Sequence, residues 1–118
     1  MIERVGWLVL ALIHAVPALA LVRPSMIERL YGVAAGGDVH LLLHHRAALF
    51  AAVLAACLWA AFDPAARRLA VVVVGISMVG FLALYALGGA PEGLRGIAIA
   101  DAIGLVPFAY VAYRTFAG

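Results

Sequence analysis

The residues able to do chemistry in this chain are few and unevenly placed. His40, His44, His45 and Arg46 stand at the head of the run HLLLHHRAALF, His14 lies within WLVLALIHAVPALALV, and Asp101 interrupts GIAIADAIGLVPF. Ser77 and Tyr85 are the polar side chains of GISMVGFLALYAL. An imidazole can exchange a proton near neutral pH or ligate a metal, and a carboxyl can carry a proton or anchor a polar head. The surrounding segments are apolar, and an Asp or Arg in such a setting costs on the order of 3 kcal/mol. Residues kept at that cost mark a site or a buried pair.

Metal chemistry is a secondary reading. His40 and His44 are spaced i, i+4, so two ligands can come from one helix face, and His14 with His44 would suit a bis-histidine haem. Neither CxxCH nor HExxH accompanies them. There is no Ser-His-Asp order, glycine-rich phosphate loop or activated nucleophile, so the chain reads as a binder more than an enzyme. Its single cysteine, Cys57, allows neither an internal disulfide nor a CxxC pair.

These groups must be positioned by membrane-spanning helices. The composition is 68% hydrophobic and 12% charged over 118 residues, and the mean hydropathy is +1.15, outside the range of soluble globular domains. A net charge of +2, without a Lys/Arg run, gives no reason to expect nucleic acid. Spanning a bilayer takes about 20 apolar residues. Four stretches qualify, at about 5–22, 40–62, 69–88 and 96–113, within a single domain. The first mimics a secretory signal peptide, with Arg4 before an apolar run and Ala18-Leu19-Ala20 after it, and is read here as a retained span. Asp38 is expected to cap the second span, and Asp63-Pro64 to start the third.

Between the first two spans, Ser25-Met26-Ile27-Glu28 has the pattern of a capping box. Ile27, Leu30, Tyr31 and Ala34 then recur at helical spacing opposite Glu28 and Arg29. This predicts a short amphipathic surface helix over about 25–32, stopped by Gly36-Gly37. The fold class is therefore all-α: an integral membrane four-helix bundle with a surface helix between its first two spans. Arg4, Arg67, Arg68 and Arg114 flank one side and Arg23, Arg29 and Arg95 the other, which favours cytoplasmic termini. Trp7, Tyr110 and Tyr113 are expected as interfacial anchors.

Helical wheels give the inward faces. His14 shares a face with Trp7, Ala11 and Ala18. Asp101 shares one with Ala98, Gly104, Leu105 and Phe108. Ser77, Phe81 and Tyr85 fall near one line. On the second span Ala47, Ala48, Ala51, Ala52, Ala55 and Ala56 form a small-residue face headed by His44, suited to packing within the chain, in a homodimer or in a larger complex. Arg46 lies opposite, with Leu42, Leu49, Phe50 and Val53. Its stem is long enough to lift the guanidinium to the headgroups, and an inward pair with Asp101 is the alternative. His14, His44, Tyr85 and Asp101 all fall in the non-cytoplasmic half, which predicts a buried polar pocket there. With Arg46 and Ser77 they are the candidate ligand-binding residues, for a small amphipathic molecule such as a quinone or a lipid-like compound. A proton-coupled transporter and an accessory subunit of a membrane complex are the alternatives.

Pro24 with ERLYGV, the LLLHHRAALF start of the second span and GISMVGFLAL in the third give the chain a further likeness. It resembles small four-helix bacterial inner-membrane proteins, broadly DoxX-like. That resemblance implies the four-span fold and the inner membrane, and some such proteins are linked to quinone-coupled thiosulfate oxidation. It implies no catalytic residue here.

Overall fold

The structure, a computed structural model, describes residues 2–33 and 36–117. Its helices are α1 (Ile2–Leu19), α2 (Ser25–Tyr31), α3 (Gly37–Phe62), α4 (Arg67–Leu87) and α5 (Arg95–Ala117), and no strand occurs among the described residues. Short 3-10 turns at Pro64–Ala66 and Glu92–Leu94 lead into α4 and α5. All but α2 are long and apolar enough to cross a membrane. The longest, α3, has 26 residues and reaches about 39 Å, beyond the ~30 Å hydrocarbon layer.

The four long helices close into a ring, α1 and α4 each packing on both α3 and α5. Both termini and the α3–α4 connection share one end, the terminal end. The other end carries α2, which touches the Glu92–Leu94 turn and α3. Trp7, Leu10, Cys57, Val74, Met78 and Val111 fill the centre, whereas Leu12, Ile76, Leu84, Ile103 and Val106 project outward. An apolar perimeter around an apolar centre is the reverse of a soluble surface.

Close approach is made by glycines. A Cβ on Gly6 would stand 2.6 Å from Val111 Cγ1, and one on Gly104 would stand 2.6 Å from Met78 Cε and 2.9 Å from Ile13 Cδ1. Helices without a hydrophobic drive between them gain from such contact.

The inward faces of α1 and α5 are those the wheels predict. Ala11, His14 and Ala18 are buried with Val9, Leu12, Val16 and Leu19 outside, and Ala98, Asp101 and Gly104 are buried with Ile99, Ile103 and Val106 outside. Trp7 is a correction, being fully buried rather than interfacial, while Tyr110 and Tyr113 are exposed. It sits one turn from Ala11 on the face that the ring encloses.

The face of α3 is also corrected. Ala47 is buried and Ala48, Ala51 and Ala56 are half-buried as expected, but Ala52 and Ala55 are exposed while Phe50 and Val53 are buried. A helix between two neighbours buries a broad arc, and this one is centred on Phe50 and Cys57 rather than on the alanines. The alanines offer less apolar area to bury.

Helix ends differ in detail from expectation. Ser25 opens α2 without a side-chain cap, and Gly32, at φ 66°, ends it. Gly36 and Gly37, also at positive φ, begin α3, and Asp38 makes no cap there. Ala34 lies outside the described residues. Asp63 does cap its turn, accepting from Ala65 N at 3.0 Å, and also accepts from Trp59 Nε1 at 3.1 Å.

The terminal end is tied by charge. Arg67 donates through Nε to Ala60 O at 2.8 Å and through a terminal nitrogen to Ala61 O at 3.3 Å. Its other terminal nitrogen meets Glu3 Oε2 at 2.9 Å. Arg4 Nε donates to Ala61 O at 3.1 Å, and Arg114 approaches Glu3 Oε1 at 3.4 Å. The last carbonyls of α3 are thus satisfied by side chains from α1 and α4, which meets the need of any helix end held away from water.

Two outcomes are expected. Gly6→Ala should cost about 1–3 kcal/mol through the clash with Val111, while Gly80→Ala, with open space at its Cβ, should cost nothing; thermal unfolding in detergent reads both. Glu3→Gln should destabilise by about 1.5–3 kcal/mol, since Arg67 loses a charged partner in a half-buried setting. Arg114→Gln, whose side chain is 55% exposed, should cost less than about 1 kcal/mol.

Candidate functional site

The polar groups away from the terminal end are arranged differently. Asp101 is 4% exposed, held inward because Ala98 and Gly104, one turn to either side, let α5 press against its neighbours. Among the described residues no hydrogen bond or ion pair reaches its carboxyl. It lines a cleft of about 340 Å³ between α1, α2 and α5, whose walls include Leu12, Ile13, Val16, Pro17 and Leu30, with Arg29 contributed by α2. Pro17 has no N–H, so the Ile13 carbonyl in the same wall lacks its helical donor.

His14 is 1% exposed. Its Nδ1 lies 2.8 Å from Leu10 O. A carbonyl only accepts, so Nδ1 carries the proton and Nε2 presents a lone pair. That lone pair has no partner. The ring lies 5.9 Å from Phe50.

Phe50 in turn borders Arg46. The Arg46 guanidinium carbon lies 5.0 Å from the Phe50 ring, 5.0 Å from Phe81 and 5.6 Å from Tyr31. Rings from α2, α3 and α4 therefore enclose one cation, each contact worth about 0.5–2 kcal/mol. This replaces the free outward course expected for Arg46. The inward pair is not formed either, although Asp101 and Tyr31 both feel the guanidinium charge. Burial pushes the Tyr31 phenol above its ordinary pKa, and Arg46 opposes that shift. Arg46 also lines a second groove, of about 500 Å³ between α3 and α4, together with Ser77 and Phe81. Tyr85 is half-buried and stacks on Phe81 at 6.0 Å.

His44 is used elsewhere. Its Nε2 donates to Leu21 O at 2.8 Å, capping a carbonyl in the turn that follows α1. His40 lies beside it, ring centroids 6.3 Å apart. Among the described residues no three His, Cys, Asp or Glu side chains are grouped so as to hold a metal ion.

Of the residues predicted from sequence, Asp101 and Arg46 are thus linked by charge, with His14 joined to Arg46 through Phe50. His44 belongs to the α1–α3 connection, and Ser77 and Tyr85 to the α3–α4 side. Sequence reasoning missed Arg29, Tyr31 and Phe50. Phe50 follows Arg46 at i+4, a spacing that brings ring and guanidinium together on a helix. The other two needed the path of α2.

Comparison of the chain with protein-family models, with curated proteins and with solved structures gives no match.

His44→Ala should lower stability by about 1 kcal/mol, because the Leu21 carbonyl loses its donor. Thermal midpoints of the two proteins measure this.

Proposed function

We propose that this chain is a four-span inner-membrane protein that holds a small amphipathic molecule, quinone- or lipid-like, with its polar head on Asp101. The arginine balance, Arg4, Arg67, Arg68 and Arg114 at the terminal end against Arg23, Arg29 and Arg95, supports cytoplasmic termini and a site in the outer half. The carrying observation is the Asp101 carboxyl, almost wholly buried beside an apolar cleft with no donor among the described residues. A buried polar group without a partner costs about 1–3 kcal/mol, and more when charged. A hydroxyl head donating to Asp101 removes that cost, Arg29 supplies a donor for a carbonyl or ether oxygen of the same head, and the aliphatic walls take the remainder. The cleft volume falls in the range of small-molecule sites, and clefts between bundle helices are a recurring location for them.

The alternative of proton-coupled transport would need a route onward to the terminal end. Trp7, Leu10, Val74, Met78 and Val111, fully buried, fill the bundle centre along that route. The binding reading needs no such route.

Asp101→Asn keeps shape and hydrogen bonding while removing the titratable group. The purified variant should keep its thermal midpoint but retain a short-chain ubiquinol analogue, kept reduced, about tenfold less well, the equivalent of one charge-assisted hydrogen bond from its O–H to the carboxylate. Native mass spectrometry across pH 5–8 reads the retention. Equal retention and an equal pH response in both proteins would make Asp101 a structural residue.

A further inference from the structure

The groove between α3 and α4 has a chemistry of its own. Arg46 carries five N–H donors, yet within the described residues the guanidinium makes no hydrogen bond and no ion pair; its neighbours are the faces of Tyr31, Phe50 and Phe81. Aromatic faces hold a cation in place but leave its in-plane donors free. Below Arg46 the groove is lined by Leu49, Val53, Val73 and Ile76, and it opens sideways on the apolar perimeter. A fixed cation at the α2 end and an aliphatic trough running toward the terminal end match an amphiphile with an anionic head and a hydrocarbon chain, lying parallel to the helices.

We infer that this groove seats an anionic phospholipid, its phosphodiester on Arg46 and one acyl chain against Leu49, Val53, Val73 and Ile76. Three arguments on the groove select it. A guanidinium fork matches two phosphate oxygens at once. The groove faces the same surroundings as the exposed residues of α3 and α4, so its occupant arrives from the bilayer and not from water. The direction from head to chain is that of a lipid in the leaflet on the α2 side. This site rests on the membrane reading given above but is separate from the Asp101 cleft, which lies between α1, α2 and α5.

The test is native mass spectrometry of the detergent-purified chain given equal amounts of phosphatidylglycerol and phosphatidylcholine with identical acyl chains. Wild type should retain one phosphatidylglycerol with about tenfold preference. Arg46→Gln should abolish the preference, and Arg46→Lys, a point charge without the fork, should keep part of it. Ile76→Trp, at a position 72% exposed, blocks the trough without touching the charge and should lower retention of both lipids; it decides the matter if Arg46→Gln does not fold. Asp101→Asn should leave the lipid preference intact while lowering ubiquinol retention, so the two sites fail separately. Equal retention of the two lipids by wild type, an unchanged preference in Arg46→Gln, or displacement of phosphatidylglycerol by equimolar oleate would each overturn the assignment.

Discussion

A polar group enclosed by apolar surface must find its partner inside the molecule or take one from outside. That constraint organises this protein, because the ring of four helices has little water-like surface along its length. At the terminal end the constraint is met internally. Arg67 spends its fork on Glu3, Ala60 and Ala61, so one guanidinium closes the end of α3, fixes the start of α4 and holds α1. Glu3 is the matching anion for two helices.

Nearer α2 the same constraint is left open. Among the described residues Asp101 has no donor, His14 Nε2 has no partner, and Arg46 is held by rings that do not use its N–H groups. Trp7 Nε1 and Thr115 Oγ1 are also unpartnered; like the neutral His14 ring they cost far less to bury than a charge, so Asp101 and Arg46 carry the contrast. The contrast between the two ends supports the functional reading more than any single residue does.

The sequence makes part of this legible, for identifiable reasons. Helical periodicity separates Trp7, Ala11, His14 and Ala18 from Val9, Leu12 and Val16, and on α5 it isolates Asp101 with Ala98 and Gly104. In both cases one face carries large aliphatic side chains and the other small or polar ones. On α3 the same rule misleads. Its alanines are small enough to pack yet offer little to bury, while Phe50 and Val53, bulky enough for a perimeter, turn inward. The wheel of α3 alone turns Arg46 outward, because the rings of Tyr31 and Phe81 that hold it come from elements distant in the chain. Glycines carried a double meaning as well: Gly32 stops α2, whereas Gly36 and Gly37, which resemble a stop, use positive φ to turn into α3.

The short helix α2 joins these observations. Seven residues are too few for a helix to stand alone, so its position derives from packing, chiefly Ile27, fully buried against Ala20 and Ala47. From that seat Arg29 and Leu30 face the Asp101 cleft, and Tyr31 supplies one of the rings around Arg46. The element with least intrinsic stability thus contributes to both sites.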